Sequence, residues 1–433
     1  MNKIWKITSL ILIVTFIVPM LGISSPLVSA QPNLNLNVRS AILVDAITGK
    51  ILYGKNIDQP LPPASMTKMM TEYIVLEYIA SGKVKWDDIV TASEYANWMG
   101  KYGGSRVFLG LGEKRTIKEL VDAMAIYSAN DATVALAEHL AGSESNFVEI
   151  MNRKAKELGM NQTHFLTSTG YPIEELGEYA PYNAIGEHVM SARDLAILAW
   201  HLINDYPNTL ELNSQSKLYF RKGERGEMEL PNFNWMLPGL IYEYQGVDGI
   251  KTGYTSEAGY GFTATAERNG VRLISVVTGT DSKKARFMET KKLLDYGFAN
   301  YDLLNLVKAK DPIPGYEKVA IEEGKTTEVA VVPKNNLTVL VKKGEENLYK
   351  PIIEPNDTIK APIKSEDVLG YVSYEYNGEE QYSYLNDYIK SNGKVLLIAN
   401  EDVEKAGFIR LFFRKIYTMF NEIFTNIIDG ILG

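Results

Sequence analysis

The order of strand-like and helical segments constrains the fold more than any other feature of this sequence. Strand patterns occur near the beginning, in "RSAILVDAITGKILYGKN" (39–56), and again from Gly246 onwards, where Asn269-Gly270 predicts a tight hairpin turn. Helical periodicity fills the region between them. We therefore expect one sheet built from both ends of a domain, with helices packed on it. This predicts an α/β (α+β) domain over residues 31–304.

Several stretches between these ends have apolar residues at helical spacing. The first, Ser65 to Ile79, is apolar around most of its circumference and is predicted to be buried. The next begins at Thr116, which matches a capping box with Glu119, and it breaks at "SAND" before it continues. Two amphipathic helices follow, in "NFVEIMNRKAKELGM" and "SARDLAILAWHLINDYP". The segment between them, Gly170 to Met190, has no clear period and is expected to be a long loop.

The pattern changes again in the C-terminal part of the chain. Residues 305–399 consist of short alternating runs separated by Gly, Pro, Asn and Asp, which is typical of a small all-β sandwich. In 400–433, polar residues recur every three or four positions among Phe, Ile, Leu and Met. This predicts an amphipathic helix at 408–432 that lies in a membrane interface, because its charges are too frequent for a bilayer span. A helix docked on its own domain or on a second copy is the alternative.

The first thirty residues have the features of a secretory signal peptide. Lys3 and Lys6 precede an apolar core, and "LVSA" offers cleavage after Ala30. An uncleaved membrane anchor is the alternative. We expect an exported protein on the extracytoplasmic face of the membrane, held there peripherally by its C-terminal helix.

Composition argues against several kinds of site. The chain has 53 acidic and 45 basic residues, and loss of the two lysines of the leader gives the mature chain a net charge of −10, which argues against nucleic-acid binding. The absence of cysteine excludes disulfides, thiolate metal sites and a cysteine nucleophile. The histidines lack metal-binding spacing, so neither a metal nor a cofactor is expected. They are His139, His164, His188 and His201.

Ser65 and Lys68 lie three residues apart at the beginning of the first predicted helix. Three residues are about one helical turn, so both side chains project from the same face. A serine becomes nucleophilic when a base takes its proton, and a lysine can be that base if burial and a second cation lower its pKa. The pattern alone is weak, because it recurs at Ser214–Lys217 and Ser391–Lys394. A helix cap beside a solvated lysine is the alternative.

Two further motifs strengthen the interpretation. Ser128-Ala129-Asn130 is the only S-x-N in the chain and lies at the break between two helices, where side chains can point into a cleft. Lys251-Thr252-Gly253 is the only K-T-G and lies in a predicted strand. Its lysine and threonine can hold a carboxylate, and its glycine is expected to let a substrate backbone approach the strand. Taken singly, a helix cap and a turn are the alternatives.

In this order, the three motifs resemble those of penicillin-binding proteins and class A β-lactamases. Similar stretches include "DAITGKILY", "KELGMNQTHF", "VMSARDLA" and "ETKKLLDYGF", and the resemblance covers essentially the whole mature chain. The sequence resembles the serine-type D-alanyl-D-alanine carboxypeptidases, the low-molecular-mass penicillin-binding proteins of the Gram-positive vegetative kind. The resemblance implies a penicillin-binding/β-lactamase-like transpeptidase domain, peptidoglycan stem peptides ending in D-Ala-D-Ala as substrates, and β-lactams as covalent inhibitors.

The resemblance also implies catalytic roles. Ser65 would be the acyl-ester nucleophile and Lys68 its general base, while Ser128 would relay a proton to the leaving D-alanine. The backbone N–H groups of Ser65 and Tyr254 would form the oxyanion hole. Some relatives have histidine at the position of Tyr254, so the pH dependence could differ.

Substrate binding is implied for four side chains and a glycine. Asn130 would hold the substrate amide, and Lys251 and Thr252 would bind the terminal carboxylate. Gly253 completes the strand motif. Arg286 would lie near the same carboxylate, with an ordinary surface arginine as the alternative.

Two other functions compete with this one. A serine β-lactamase needs a glutamate that activates water, and Glu157 is the candidate, although the carboxypeptidases share the stretch around it. A non-catalytic receptor of the same fold would need one of the three motifs to be broken. None of the three is broken.

Overall fold

The computed structural model describes residues 32–181 and 184–432, without side-chain detail for 421–432, and the predicted signal peptide lies outside these residues. The helices are α1 (Lys68–Ala80), α2 (Glu94–Tyr102), α3 (Ile117–Tyr127), α4 (Asn130–Ala141), α5 (Glu144–Glu157), α6 (Ala192–Asp205), α7 (Thr209–Asn213), α8 (Lys283–Asn300), α9 (Asp387–Ser391) and α10 (Phe408–Leu432). The strands of the first domain are β1 (Ser40–Asp45), β2 (Ile51–Lys55), β3 (Ile89–Thr91), β4 (Lys114–Thr116), β5 (Lys217–Phe220), β6 (Met228–Pro231), β7 (Val247–Thr255), β8 (Gly259–Arg268) and β9 (Val271–Thr280). Those of the second domain are β10 (Tyr301–Val307), β11 (Lys318–Ala320), β12 (Glu328–Pro333), β13 (Leu337–Lys342), β14 (Tyr349–Pro355), β15 (Val368–Tyr376) and β16 (Val395–Ala399).

The main sheet combines strands from both ends of the first domain. Its order is β2-β1-β9-β8-β7, and every neighbouring pair is antiparallel. Asn269 and Gly270 form the hairpin turn between β8 and β9, and both have positive φ, as a tight turn of this kind requires. The prediction of one sheet built from two distant segments is confirmed.

Strand β1 is buried on both faces of this sheet, which explains its uninterrupted apolar run. Ile42 and Val44 belong to the core formed with α1, α5 and α6, whereas Ala41 and Leu43 belong to the core formed with α8. Alternate residues of a strand point to opposite faces, so β1 serves both cores. The result is a sheet between two helical layers.

A third core, formed mainly by α2, α3 and α4, lies beside this sandwich. The predicted capping box is present at the beginning of α3, where Thr116 and Glu119 bond each other's backbone N–H groups. Helix α3 ends at Ser128 in the left-handed conformation, and α4 restarts at Asn130. The predicted break therefore places the "SAND" turn at the edge of a helical cluster that faces the main sheet.

The loop predicted at Gly170–Met190 contains, in its described part, only short 3₁₀ turns at Ile173–Glu175 and Gly177–Tyr179 and bridges at Val189 and Met190.

The all-β domain has a sheet of order β11-β12-β16-β15-β14 and a β10–β13 pair that share one core. Strand β10 begins at Tyr301, directly after α8, which is four residues before the predicted start of the domain at 305.

A segment of the second domain completes the core of the first, which was not predicted from the sequence. Between β15 and β16, Leu385 and Ile389 are buried in the core that contains α1 and α6. The Leu385 N–H donates to the Gly49 carbonyl at 3.0 Å, and the ring of Tyr388 stacks on His201. Gly49 has a φ of +66°, and a Cβ there would lie 2.6 Å from Ile389, so glycine permits the close approach.

Candidate active site

Ser65 lies in a tight turn rather than in the helix that follows it. The turn is a 3₁₀ helix, Ala64–Thr67, and α1 begins only at Lys68, whereas the predicted helix began at Ser65. Ala64 has a φ of +50°, a left-handed conformation that is uncommon for a residue with a side chain and is found most often at functional turns. The helix-cap alternative for Ser65 does not hold, because the N-cap position of α1 is Thr67.

The Lys68 amine lies 2.9 Å from Ser65 Oγ and 2.8 Å from the carbonyl oxygen of Thr169. Its side chain is 1% exposed, so it is not the solvated lysine of the alternative interpretation. Burial and the neighbouring Lys251 ammonium hold the pKa of Lys68 well below its usual range, while Glu144 and Asp131 oppose this shift. A neutral amine beside a serine hydroxyl is the arrangement that a lysine base requires.

Lys251 lies on β7, the edge strand of the main sheet, and is 3% exposed. Burial and the guanidinium of Arg286 lower the pKa of Lys251 to about 7, against the opposing charge of Glu72. The site therefore places buried cationic groups close together. Such a site attracts an anion and disfavours the charged form of Lys68.

Ser128 and Asn130 supply unpaired polar atoms to the same cleft. Ser128 has a φ of +59° and is 3% exposed, yet its buried hydroxyl has no hydrogen-bond partner. The Asn130 amide nitrogen donates to the Gly103 carbonyl, whereas its side-chain oxygen is also buried and unpaired. Buried polar groups are nearly always satisfied, so two such atoms in one cleft indicate where a ligand donates and accepts.

The structure adds a packing reason for glycine in Lys251-Thr252-Gly253. A Cβ on Gly253 would lie 2.6 Å from the Pro63 carbonyl oxygen and 3.2 Å from the Met66 nitrogen. The glycine therefore lets β7 approach the turn that carries Ser65, and the expected approach of a substrate backbone to the strand stays a prediction. Next to it, Tyr254 is 50% exposed and its ring stacks on Tyr260 with centroids 4.1 Å apart.

Arg286 is buried rather than on the surface. It lies on α8 with 5% exposure, and its Nη1 is 3.4 Å from the Gly253 carbonyl oxygen. Its Nε has no partner. Burial lowers the pKa of Arg286 to about 10, so it remains a cation at neutral pH.

These groups meet in one cleft of about 490 Å³ between the helical cluster and β7. Its lining includes seven of the predicted site residues, and the other two, Lys68 and Lys251, lie buried behind it. The seven are Ser65, Ser128, Asn130, Thr252, Gly253, Tyr254 and Arg286. Glu157, the β-lactamase candidate, does not line the cleft and pairs with Lys154 on α5 at 2.6 Å.

Four residues beside the serine–lysine pair were not predicted from the sequence to belong to the site. Thr169 accepts the Lys68 hydrogen bond through its backbone, and Glu144 holds Ser168 next to it. Gly170 abuts the turn of Ser65. The His188 Nδ1 accepts the Leu166 N–H, so its Nε2 carries the proton and donates to Thr67 Oγ1 at 2.8 Å. Burial lowers the pKa of His188 to about 3, which keeps the ring neutral.

The second motif copies form no comparable pair. Lys217 on β5 bonds Glu229, and Lys394, which directly precedes β16, bonds Glu354. Among the side chains that the structure describes, at 32–181 and 184–420, no group of three or more acidic or histidine residues is placed to hold a metal ion.

Comparison with known proteins agrees with this geometry. Residues 27–282 match the sequence family described as D-alanyl-D-alanine carboxypeptidase, and residues 301–405 match the C-terminal domain of penicillin-binding protein 5. The D-alanyl-D-alanine carboxypeptidase DacF of Bacillus subtilis is 39% identical over 376 residues, which cover 86% of this chain and 87% of the relative.

Solved structures give the same result. The peptidoglycan synthesis regulatory factor PBP3 from Streptococcus pneumoniae aligns with a TM-score of 0.77 at 31% identity, over 85% of this chain and all of that one. Penicillin-binding protein D2 from Listeria monocytogenes, solved in its ampicillin-bound form, aligns with a TM-score of 0.52 at 32% identity, over 62% of this chain and all of that one. The chain therefore belongs to the peptidase S11 family of D-alanyl-D-alanine carboxypeptidases.

Proposed function

We propose that this protein removes the terminal D-alanine from peptidoglycan stem peptides through an acyl-enzyme on Ser65. The observation that carries the proposal is the 2.9 Å contact between the buried Lys68 amine and Ser65 Oγ, in a cleft where Ser128 and Asn130 present unpaired polar atoms. Membership of the family supplies the substrate class. The acyl-serine chemistry follows from a serine whose hydroxyl is in contact with a buried lysine amine that can act as its base.

In the acylation step, Lys68 takes the hydroxyl proton of Ser65 while Oγ attacks the carbonyl carbon of the penultimate D-alanine. The N–H groups of Ser65 and Tyr254 stabilise the resulting oxyanion, and each such donor contributes about 10²- to 10³-fold in rate. The proton on Lys68 then passes through Ser128 to the nitrogen of the terminal D-alanine. The peptide bond breaks, free D-alanine leaves, and the shortened peptide remains as an ester on Ser65.

In the deacylation step, water replaces the departed amine. Lys68 takes a proton from the water, whose oxygen attacks the ester carbonyl, and the proton returns to Ser65 Oγ as the ester bond breaks. A β-lactam enters the same acylation step, but its ring nitrogen stays tethered to the acyl group. We therefore expect a long-lived penicilloyl enzyme.

The substrate carboxylate is assigned to the cationic end of the cleft. Lys251 and Arg286 supply positive charge there, and Thr252 supplies a hydroxyl. Both cations are almost fully buried, so an anion that reaches them gains more than it would at an exposed site. Asn130 is assigned to the substrate amide through its unpaired side-chain oxygen.

The test is intact mass spectrometry combined with a D-alanine assay. We expect released D-alanine from a peptide ending in D-Ala-D-Ala, a penicilloyl adduct with benzylpenicillin, and loss of both in Ser65→Ala. Rapid penicillin turnover without D-alanine release would instead identify a β-lactamase. Glu175 lines the cleft, so loss of that turnover in Glu175→Gln would name the water-activating residue.

We also propose that the enzyme is exported and that α10 associates with the membrane surface. The proposed domain limits are those predicted from the sequence. Its apolar side chains are unusually exposed: Phe408 is 83%, Ile409 72% and Phe413 64% exposed. The described side chains of the helix include cations but no acid, which suits an anionic lipid surface. Arg414 contacts the second domain, because its Nη1 donates to the Gly324 carbonyl at 3.0 Å. No described helix has the length and hydropathy to cross a bilayer.

Deletion of residues 408–433 should release the protein from vesicles that contain anionic lipid. The cut spares Lys405 and Ala406, which pack on the β domain. Co-sedimentation at several salt concentrations measures the binding, and the D-alanine assay on a soluble peptide controls for folding. Equal sedimentation of the full and shortened proteins would contradict the assignment.

A further inference from the structure

The segment Thr167–Gly170 lies directly behind the serine–lysine pair. The Thr169 carbonyl accepts the Lys68 hydrogen bond at 2.8 Å. A Cβ on Gly170 would lie 1.9 Å from the Ala64 carbonyl oxygen, so this residue packs against the turn of Ser65. The position of the segment therefore sets the positions of both the base and the nucleophile.

Ser168 is the residue through which the segment is held. Its N–H donates to Glu144 Oε1 at 2.8 Å, and its hydroxyl donates to the same oxygen at 2.5 Å. Its carbonyl accepts a hydrogen bond from Thr71 Oγ1 at 2.8 Å. Ser168 and Thr71 are fully buried, so water does not compete for these bonds.

Glu144 is itself fixed by the helical cluster. It is 5% exposed, and its second oxygen accepts a hydrogen bond from the Tyr95 hydroxyl on α2 at 2.7 Å. Burial raises the pKa of Glu144, whereas the hydrogen-bond donors and the charge of Lys68 favour the carboxylate. One buried carboxylate thus connects α2, the beginning of α5 and the segment behind the catalytic pair.

We propose that Glu144 is a positioning residue for the reaction, an inference that rests on the proposed function. Its carboxylate fixes Ser168 and thereby the Thr169 carbonyl, which takes one N–H of the Lys68 amine. A neutral amine has two N–H groups and one lone pair. With one N–H directed at Thr169, the lone pair can face Ser65 Oγ, which lies 2.9 Å away.

The test measures the second-order rate of penicillin acylation per folded molecule in Glu144→Ala, Glu144→Gln and Ser168→Ala. Misplacement of a catalytic group by about 1 Å costs about 10²-fold in rate, and we expect a loss of this size in Glu144→Ala. Glu144→Gln keeps one acceptor oxygen and should lose less. Ser168→Ala removes only the hydroxyl bond and should also lose less, which keeps the test valid if Glu144→Ala does not fold.

The pH profile separates positioning from simple stabilisation. The groups that act on Lys68 are Lys251 from β7, Asp131 from α4, Glu144 from α5 and the neutral His188 from the loop. Glu144 raises the pKa of Lys68, so its replacement by glutamine lowers that pKa further. The acid limb of the acylation rate should therefore move to lower pH in Glu144→Gln, while the plateau falls.

The matched control is Glu138→Gln on the neighbouring helix. Glu138 is a partly buried carboxylate that accepts from Ser93 Oγ, with no bond to the 167–170 segment. The Glu138→Gln variant should keep the wild-type acylation rate and the wild-type acid limb of the pH profile. Wild-type acylation rates and wild-type acid limbs of the pH profile in all three test variants would overturn the inference. Acylation of Ser65 without D-alanine release would refute the proposed function alone, because this series depends only on acylation.

Discussion

Lys68→Arg should abolish acylation of Ser65, although it preserves the positive charge. A guanidinium keeps its proton at neutral pH, so it cannot take the proton of the serine hydroxyl. General-base catalysis contributes about 10²- to 10⁴-fold in rate, and we expect the acylation rate to fall by at least about 10³-fold. Adduct formation with benzylpenicillin, followed by intact mass over time, gives the rate directly.

The sequence offers a matched control for this substitution. Lys217 lies in the same Ser-x-x-Lys pattern, but its side chain is half exposed and bonds Glu229. Lys217→Arg should acylate at the wild-type rate. If Lys68→Arg remained within tenfold of the wild type, Lys68 would not be the base, and the role of its contact with Ser65 would be electrostatic only.

Gly170→Ala should lower both the stability and the acylation rate sharply. Gly170 has a φ of +72°, which costs a residue with a side chain about 1–2 kcal/mol. The added methyl would also lie 1.9 Å from the Ala64 carbonyl oxygen, and relief of this overlap costs about 1–3 kcal/mol more. Because Ala64 precedes Ser65, the nucleophile must move, and acylation should fall about 10²-fold.

Gly82→Ala separates backbone strain from steric overlap. Gly82 has a φ of +71°, but a Cβ there meets nothing within 4 Å. It should therefore show the conformational cost alone, with unchanged acylation. Urea unfolding and penicillin acylation measure the two effects. Equal destabilisation by both alanines would show that the packing of Gly170 on Ala64 has no energetic weight.

Most of the site could be predicted because its side chains belong to short motifs with unusual chemistry. Ser65 and Lys68 were ambiguous alone, and the buried environment that distinguishes them from Ser214 and Lys217 is a tertiary property. The packing reason for Gly253 is also a tertiary property. The atom that a glycine must avoid, here the Pro63 carbonyl oxygen, belongs to a segment far away in the sequence.

The parts that could not be predicted act through the backbone or through distant contacts. Thr169 contributes its carbonyl group, which every residue type has, so no sequence pattern marks it. Glu144 resembles any acidic residue in the first turn of a helix. The two-ended sheet was predictable, because strand patterns and the Asn269-Gly270 turn are local features.

The packing of Leu385 and Ile389 into the first domain has a consequence for the order of folding during synthesis. Domains usually fold as units, the N-terminal one first. Here the core beside the turn of Ser65 contains two side chains from between β15 and β16 of the second domain, so it cannot be completed until Ile389 has left the ribosome. A chain that stops earlier would contain all the proposed site residues and still leave an apolar gap beside Gly49. Synthesis past Ile389 is thus a condition for a finished scaffold of the candidate site.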